Sequence, residues 1–153
     1  MESGNEVEKI FLRDKIINYC TGCSTCSRYN KPCPQKDDTA EILEKMIRAD
    51  VIVMATPVYF YTMSAQMKTL IDRCCGRYTE MGNKEFNFIA TAAEGDRKLM
   101  ERTIDTFQGF LDCLENPVIK GVVYGAGVWH TGEINDKPAM REAYEMGRHC
   151  LES

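Results

Sequence analysis

Three apolar runs of strand length recur along the chain, and the segments between them repeat their apolar residues at helical intervals. VIVMAT (Val51 to Thr56), FNFIATAA (Phe86 to Ala93) and VIKGVVYG (Val118 to Gly125) suit parallel strands covered on both faces. VEKIFL (Val7 to Leu12) has the β-branched and aromatic character of a short leading strand. Asp38, with Glu41 three residues on, predicts a capping box at the start of a helix whose apolar face is Ile42, Leu43, Met46 and Ile47. A second helix is predicted over Ser64 to Cys75, with Met67, Leu70, Ile71 and Cys74 on one side. Leu99, Thr103, Ile104, Phe107, Leu111 and Leu114 mark a long amphipathic helix; Pro138 starts a last one carrying Met140, Ala143, Tyr144 and Leu151. Strands alternating with helices imply right-handed crossovers, hence a three-layer α/β domain with a parallel sheet. At 153 residues the chain fits one such domain, spanning residues 1–153.

Charge and hydropathy narrow the class further. The formal net charge is −4, and no Lys/Arg cluster supplies a local basic footprint, so nucleic acid is not an expected partner. No apolar run approaches the roughly 18 residues of a membrane span. Met1-Glu2-Ser3-Gly4-Asn5-Glu6 has neither the basic start nor the apolar stretch of a signal peptide, and a cytoplasmic location is expected.

In open parallel sheets ligands bind beyond the carboxyl ends of the strands. That singles out the loops Pro57 to Met63, Ala92 to Asp96 and Gly125 to Asn135. In the first, Pro57 is expected to fix a turn, and Tyr59, Phe60 and Tyr61 cannot all face inward from one loop. At least one ring is expected to line a cleft suited to a flat aromatic cofactor.

Four of the eight cysteines, Cys20, Cys23, Cys26 and Cys33, fall within fourteen residues as C-x2-C-x2-C-x6-C. Four thiolates so spaced can hold a [4Fe-4S] cluster, and Pro34 directly after Cys33 gives the Cys-Pro ending of ferredoxin-type runs. Tetrahedral zinc is a rival occupant, and free thiols are a third reading. Cys74, Cys75, Cys113 and Cys150 sit in helical stretches and are expected to pack as small hydrophobes. Packing is likewise the reading for most of the scattered methionines.

Thr56 to Arg73, TPVYFYTMSAQMKTLIDR, resembles the flavin-binding strand–loop–helix of the flavodoxin-like NAD(P)H-dependent FMN reductases. The upstream cysteines, the capped helix and Thr91 to Asp96 (TAAEGD) keep that family's order and spacing, so the resemblance runs from about Val7 to the last helix. The resemblance implies that Pro57, Val58, Tyr59, Phe60 and Tyr61 hold the isoalloxazine ring of FMN, and that Thr91, Ala92 and Gly95 close over it. It also implies NAD(P)H as electron donor, an electron acceptor and a homodimer whose interface includes Gly127 to Ile134 (GVWHTGEI). The cysteine run is similar to that of the iron-sulfur flavoproteins, a branch of the same family, in which a cluster passes single electrons to the flavin. A second class of function fits the same residues: a non-catalytic flavodoxin-like domain that binds metal or a protein partner through the cysteine loop.

The chain departs from the family at its start. A first strand, a G-S-P-R-x-x-G-N-T-type phosphate loop and a first helix are missing from the resemblance, which predicts weak or absent FMN binding and a gap between the leading strand and VIVMAT. An N-terminally truncated product is the favoured explanation, ahead of a short variant or a strand supplied by a partner. No protein base is needed for flavin hydride transfer, so Glu94 and Asp96 are read as solvated turn residues. His130 is read as a surface or interface residue, His149 as a complement to a helix dipole, and Arg73 and Arg77 as a solvated helix face.

Overall fold

The apolar runs become strands because each presents alternate side chains to a shared core. In the computed structural model, which describes residues 4–150, β1 is Val51–Tyr59, β2 is Thr62–Met63, β3 is Glu85–Thr91 and β4 is Val118–Gly125. The sheet order is β2-β1-β3-β4; β1, β3 and β4 are parallel, and β2 folds back antiparallel on the end of β1. Helices α1 (Thr25–Tyr29), α2 (Thr39–Arg48), α3 (Ala65–Arg73), α4 (Arg97–Leu111) and α5 (Pro138–Arg148) alternate with them, α5 beginning on Pro138 as predicted. Leu151 lies outside the described residues.

Phe86 and Phe88 of β3 and Ile52 and Met54 of β1 point to one face. There they meet Ile42, Leu43 and Met46 of α2, Met67 and Leu70 of α3, and Phe107 and Leu111 of α4, all buried. The Phe88 and Phe107 rings stack at 4.7 Å between centroids. Burying each such side chain stabilises the fold by about 1.5–3 kcal/mol. On the opposite face α5 covers β4, so closely that a Cβ on Gly121 would stand 2.9 Å from the Met146 sulfur. That cover stops short of β1, where Val53 and Ala55 are exposed.

Two local expectations fail. Val7 to Leu12 is not a strand: it finds no ladder partner, Ile10 and Leu12 pack on the core from an irregular segment, and a 3₁₀ turn follows at Leu12–Asp14. The expected gap beside a leading strand is therefore the sheet edge itself, formed by β1. The capping box at Asp38 does not form either. Asp38 has right-handed helical backbone and gives its carboxylate to the Ile16 N–H at 2.8 Å, while Asp37 accepts from the Thr39 N–H at 3.1 Å.

The register sets three strand ends level. Pro57 lies opposite Thr91, and Thr91 opposite Gly125, so every carboxyl-end loop opens on one side of the sheet. Among the described residues, no helix is long and apolar enough to cross a membrane.

Candidate functional site

The first half of the site is a hairpin rather than the expected open loop. β1 continues through Pro57, which sits in the strand and not in a turn, and Tyr59 pairs with Thr62, leaving Phe60 and Tyr61 as a two-residue turn. Both have positive φ, 49° and 63°, as a primed hairpin turn requires. For residues with a Cβ that conformation costs of order 1–3 kcal/mol each, a strain typical of functional sites. The base of the hairpin is fixed: the buried Ser64 N–H donates to Thr56 Oγ1 at 3.0 Å, and Ser64 Oγ caps α3 by accepting from the Met67 N–H at 3.3 Å. The tip is presented outward, with Tyr59 59%, Phe60 100% and Tyr61 46% exposed, on an open face rather than in a cleft.

The loop after β3 is tied to the loop after β4. The Ala92 N–H donates to the Gly125 carbonyl at 3.0 Å, Val128 N–H to the Ala92 carbonyl at 2.9 Å, and Gly127 N–H to the Glu94 carbonyl at 2.8 Å. Glu94 accepts from the Asp96 N–H, and Asp96 caps α4 by accepting from the Lys98 N–H at 2.9 Å, in keeping with turn roles. Gly125 is closely surrounded: a Cβ there would lie 2.7 Å from Ile134 Cδ1 and 3.0 Å from Thr91 Cγ2, so those side chains would have to shift. Around Gly95 the space is open. Beyond, Glu133 accepts from the Trp129 and His130 N–H groups at 2.7 and 3.0 Å, which holds its carboxyl below the usual range and fixes an exposed Trp129. The strand register thus gathers Pro57, Val58, Tyr59, Phe60, Tyr61, Thr91, Ala92 and Gly95 at one end of the sheet. Exposed aromatic surface beside an open glycine loop fits the chemistry of a flat ring system.

The second half is the cysteine loop, residues 16–38, closed by its own polar groups. Asp38 N–H donates to the Ile16 carbonyl at 2.9 Å, Asn18 N–H to Asp37 Oδ2 at 3.0 Å, and Gln35 Nε2 to the Tyr19 carbonyl at 3.1 Å. Arg73, at the end of α3, pins the loop to the domain. It donates to Asp37 at 2.7 and 3.2 Å, to the Asn18 carbonyl at 2.7 Å and to Cys33 Sγ at 3.4 Å. The Arg73 and Asp37 side chains are only 3% and 1% exposed, which corrects the expectation of a solvated Arg73. Burial alone would raise the Asp37 carboxyl, but hydrogen bonds from Arg73, Asn18 and Thr39 hold it well below the usual range. Arg77 does stay at the surface, bridging Glu44 and Glu80.

Within the loop the thiols differ. Cys20 and Cys23 are exposed, Cys26 and Cys33 half-buried. Hydrogen bonding to Thr25 holds the Cys23 thiol below its ordinary value. Cys33 has the Arg73 guanidinium beside it, and Cys26 rests on the 3₁₀ turn Cys74–Gly76. The donors have thiolate-ligand chemistry, although no three metal-binding groups stand together as a preformed cage among the described residues.

The packing expectation holds for Cys74, which is 1% exposed, donates to the Leu70 carbonyl and has its thiol pushed up to about 12 by burial. It fails for Cys75 and Cys113, which are exposed. Burial, then the neighbouring Cys26 and Cys20, push the Cys75 thiol up. Sequence reasoning missed Cys75 because it lies 49 positions from Cys26 and outside the compact run. Its one signal was adjacency to Cys74: on a helix two successive residues cannot both face the core.

A mostly parallel sheet flanked by helices, with its candidate site at the strand carboxyl ends, defines a flavodoxin-like α/β domain. The profile of the NADPH-dependent FMN reductase family matches residues 1–131, and the chain belongs to that family. An iron-sulfur flavoprotein of Archaeoglobus fulgidus is 46% identical over 166 aligned positions, covering 97% of this chain and 80% of that protein. A second iron-sulfur flavoprotein of the same organism is 48% identical over 71 residues; these are 46% of this chain, and the match spans about a third of the relative's length (32%). Among solved structures, an NAD(P)H:quinone oxidoreductase from Methanothermobacter marburgensis superposes with a TM-score of 0.67 over 99% of this chain and 84% of that one. At 16% identity that likeness speaks for the fold alone.

Proposed function

We propose that the chain carries electrons between a nicotinamide and an acceptor through FMN and a [4Fe-4S] cluster. When bound, FMN supplies hydride acceptance and one-electron release, and the thiolate-held cluster supplies a one-electron relay. The observation that carries this reading is the placement of the two loops at opposite ends of α3. Ser64 caps the helix directly after the aromatic hairpin, and Arg73 at its other end grips the cysteine loop. Nine residues of helix hold the two loops apart by about 13 Å as a rigid spacer.

The residues of this chain bind and orient. Pro57, Val58, Tyr59, Phe60 and Tyr61 offer aromatic faces and backbone groups to the isoalloxazine ring, while Thr91, Ala92 and Gly95 close over it. Cys20, Cys23, Cys26 and Cys33 supply the cluster ligands, with Arg73 offsetting part of their negative charge. The exposed Trp129 loop, held rigid by Glu133, is the surface through which two copies of the chain pair as a homodimer.

Anaerobic purification, with iron, sulfide and zinc quantified beside FMN titration, tests this reading. Iron and sulfide in cluster proportion are expected and are lost in Cys23→Ser, while FMN fluorescence is quenched with the weak affinity the sequence predicts. A zinc-loaded or metal-free protein that leaves FMN fluorescence unchanged would sink it.

A further inference from the structure

We propose that Cys26 and Cys75 form a reversible disulfide, making Cys75 a resolving thiol for the cysteine loop. The two residues belong to elements that pack together, α1 and the Cys74–Gly76 turn. The approach is so close that a Cβ on Gly76 would lie 2.8 Å from Cys26 Cβ and 3.4 Å from its Sγ. Gly76 has no positive φ, so its lack of a side chain serves the contact and not the backbone. Cys75 adjoins Gly76 in the same turn, which sets it beside Cys26. Both thiols are reachable, Cys75 exposed and Cys26 half-buried, whereas neighbouring Cys74 is buried and bonded to its own helix. Backbones brought this close put a Cys26–Cys75 bridge within reach of side-chain rotation.

The oxidant is a low-molecular-weight disulfide such as oxidised glutathione. One thiol loses its proton and attacks the small disulfide, releasing one reduced small thiol. The second thiol then displaces the remaining small thiol, forming the Cys26–Cys75 bond. Two electrons and two protons leave the protein and are recovered as two small-molecule thiols. The pairing rests on geometry alone. Its consequence, that Cys26 is withheld from a cluster until the protein is reduced, rests on the reading proposed above.

The test uses the full chain, stripped of metal by chelation under reducing conditions and then exposed to oxidised glutathione. Tryptic mapping is expected to show residues 16–28 joined to residues 74–77. Fragmentation should place the link on Cys26 and Cys75, and dithiothreitol should reverse it. Cys75→Ser should abolish the link and Cys113→Ser should preserve it. Pairing of Cys26 with Cys20, Cys23 or Cys33, or glutathione retained on Cys75, would overturn the proposal. Reconstitution with iron and sulfide separates it from the functional reading. Loss of iron uptake only in the oxidised protein supports the guarding role, and equal uptake in both states contradicts it. If the reduced protein takes up no iron, the cluster reading falls, while the mapped link still decides the disulfide.

Discussion

Arg73 and Asp37 show how one buried pair joins the cysteine loop to a folded core. Their contacts are charge-assisted and removed from water, so deleting one partner leaves the other charge uncompensated, at a cost of about 3–5 kcal/mol. Arg73→Ala is therefore expected to lower the urea midpoint sharply, and a midpoint within error of wild type would refute the pinning role. The pair also makes stability depend on pH. Asp37 titrates below its unfolded value, so its contribution is fully present above the ordinary carboxylate range of about 4 and is lost as pH falls from there toward the depressed folded value. Denaturation followed from about pH 5 down to about pH 2 should show a steeper acid loss in wild type than in Asp37→Asn. Thiol reactivity separates the cysteines in the same way. Cys23, exposed and held low by Thr25, should alkylate ahead of Cys75, and Cys74 should stay unlabelled until the protein unfolds. The Arg73 role was not legible in the sequence, because helix periodicity records no partner 36 positions away.

The strands were legible where an apolar run met a neighbour. β4 matches its predicted bounds at Val118 and Gly125, since that run satisfies both a ladder partner and α5. Val7 to Leu12 had strand composition without a ladder partner, and composition alone does not make a sheet. β1 ran past its predicted end because aromatic side chains at Phe60 and Tyr61 conceal a turn that usually announces itself with Asn-Gly. That conflict between residue type and backbone yields a prediction. Phe60 is fully exposed and its φ is 49°, so Phe60→Asn removes strain without losing buried contacts. It is expected to stabilise the fold by about 1 kcal/mol while weakening FMN binding. Urea denaturation beside a flavin fluorescence titration checks both, and a destabilised variant would show that the turn is not strained.

At the scale of the whole molecule, α3 organises the site. The hairpin precedes it, the cysteine loop is gripped at its far end, and the turn after it carries Cys75. The order of these segments was readable from TPVYFYTMSAQMKTLIDR and the upstream cysteines. Their spatial relation depended on the Arg73–Asp37 pair and on the Gly76 contact, which only the folded chain displays. The function proposed above sends electrons between the two ends of this one short helix. The most direct test follows the visible spectrum of the full chain, loaded with FMN and reconstituted with iron and sulfide, as NADPH or NADH is added without oxygen. Bleaching of the flavin bands together with the cluster absorption is the predicted result; a spectrum that neither nicotinamide changes would contradict it.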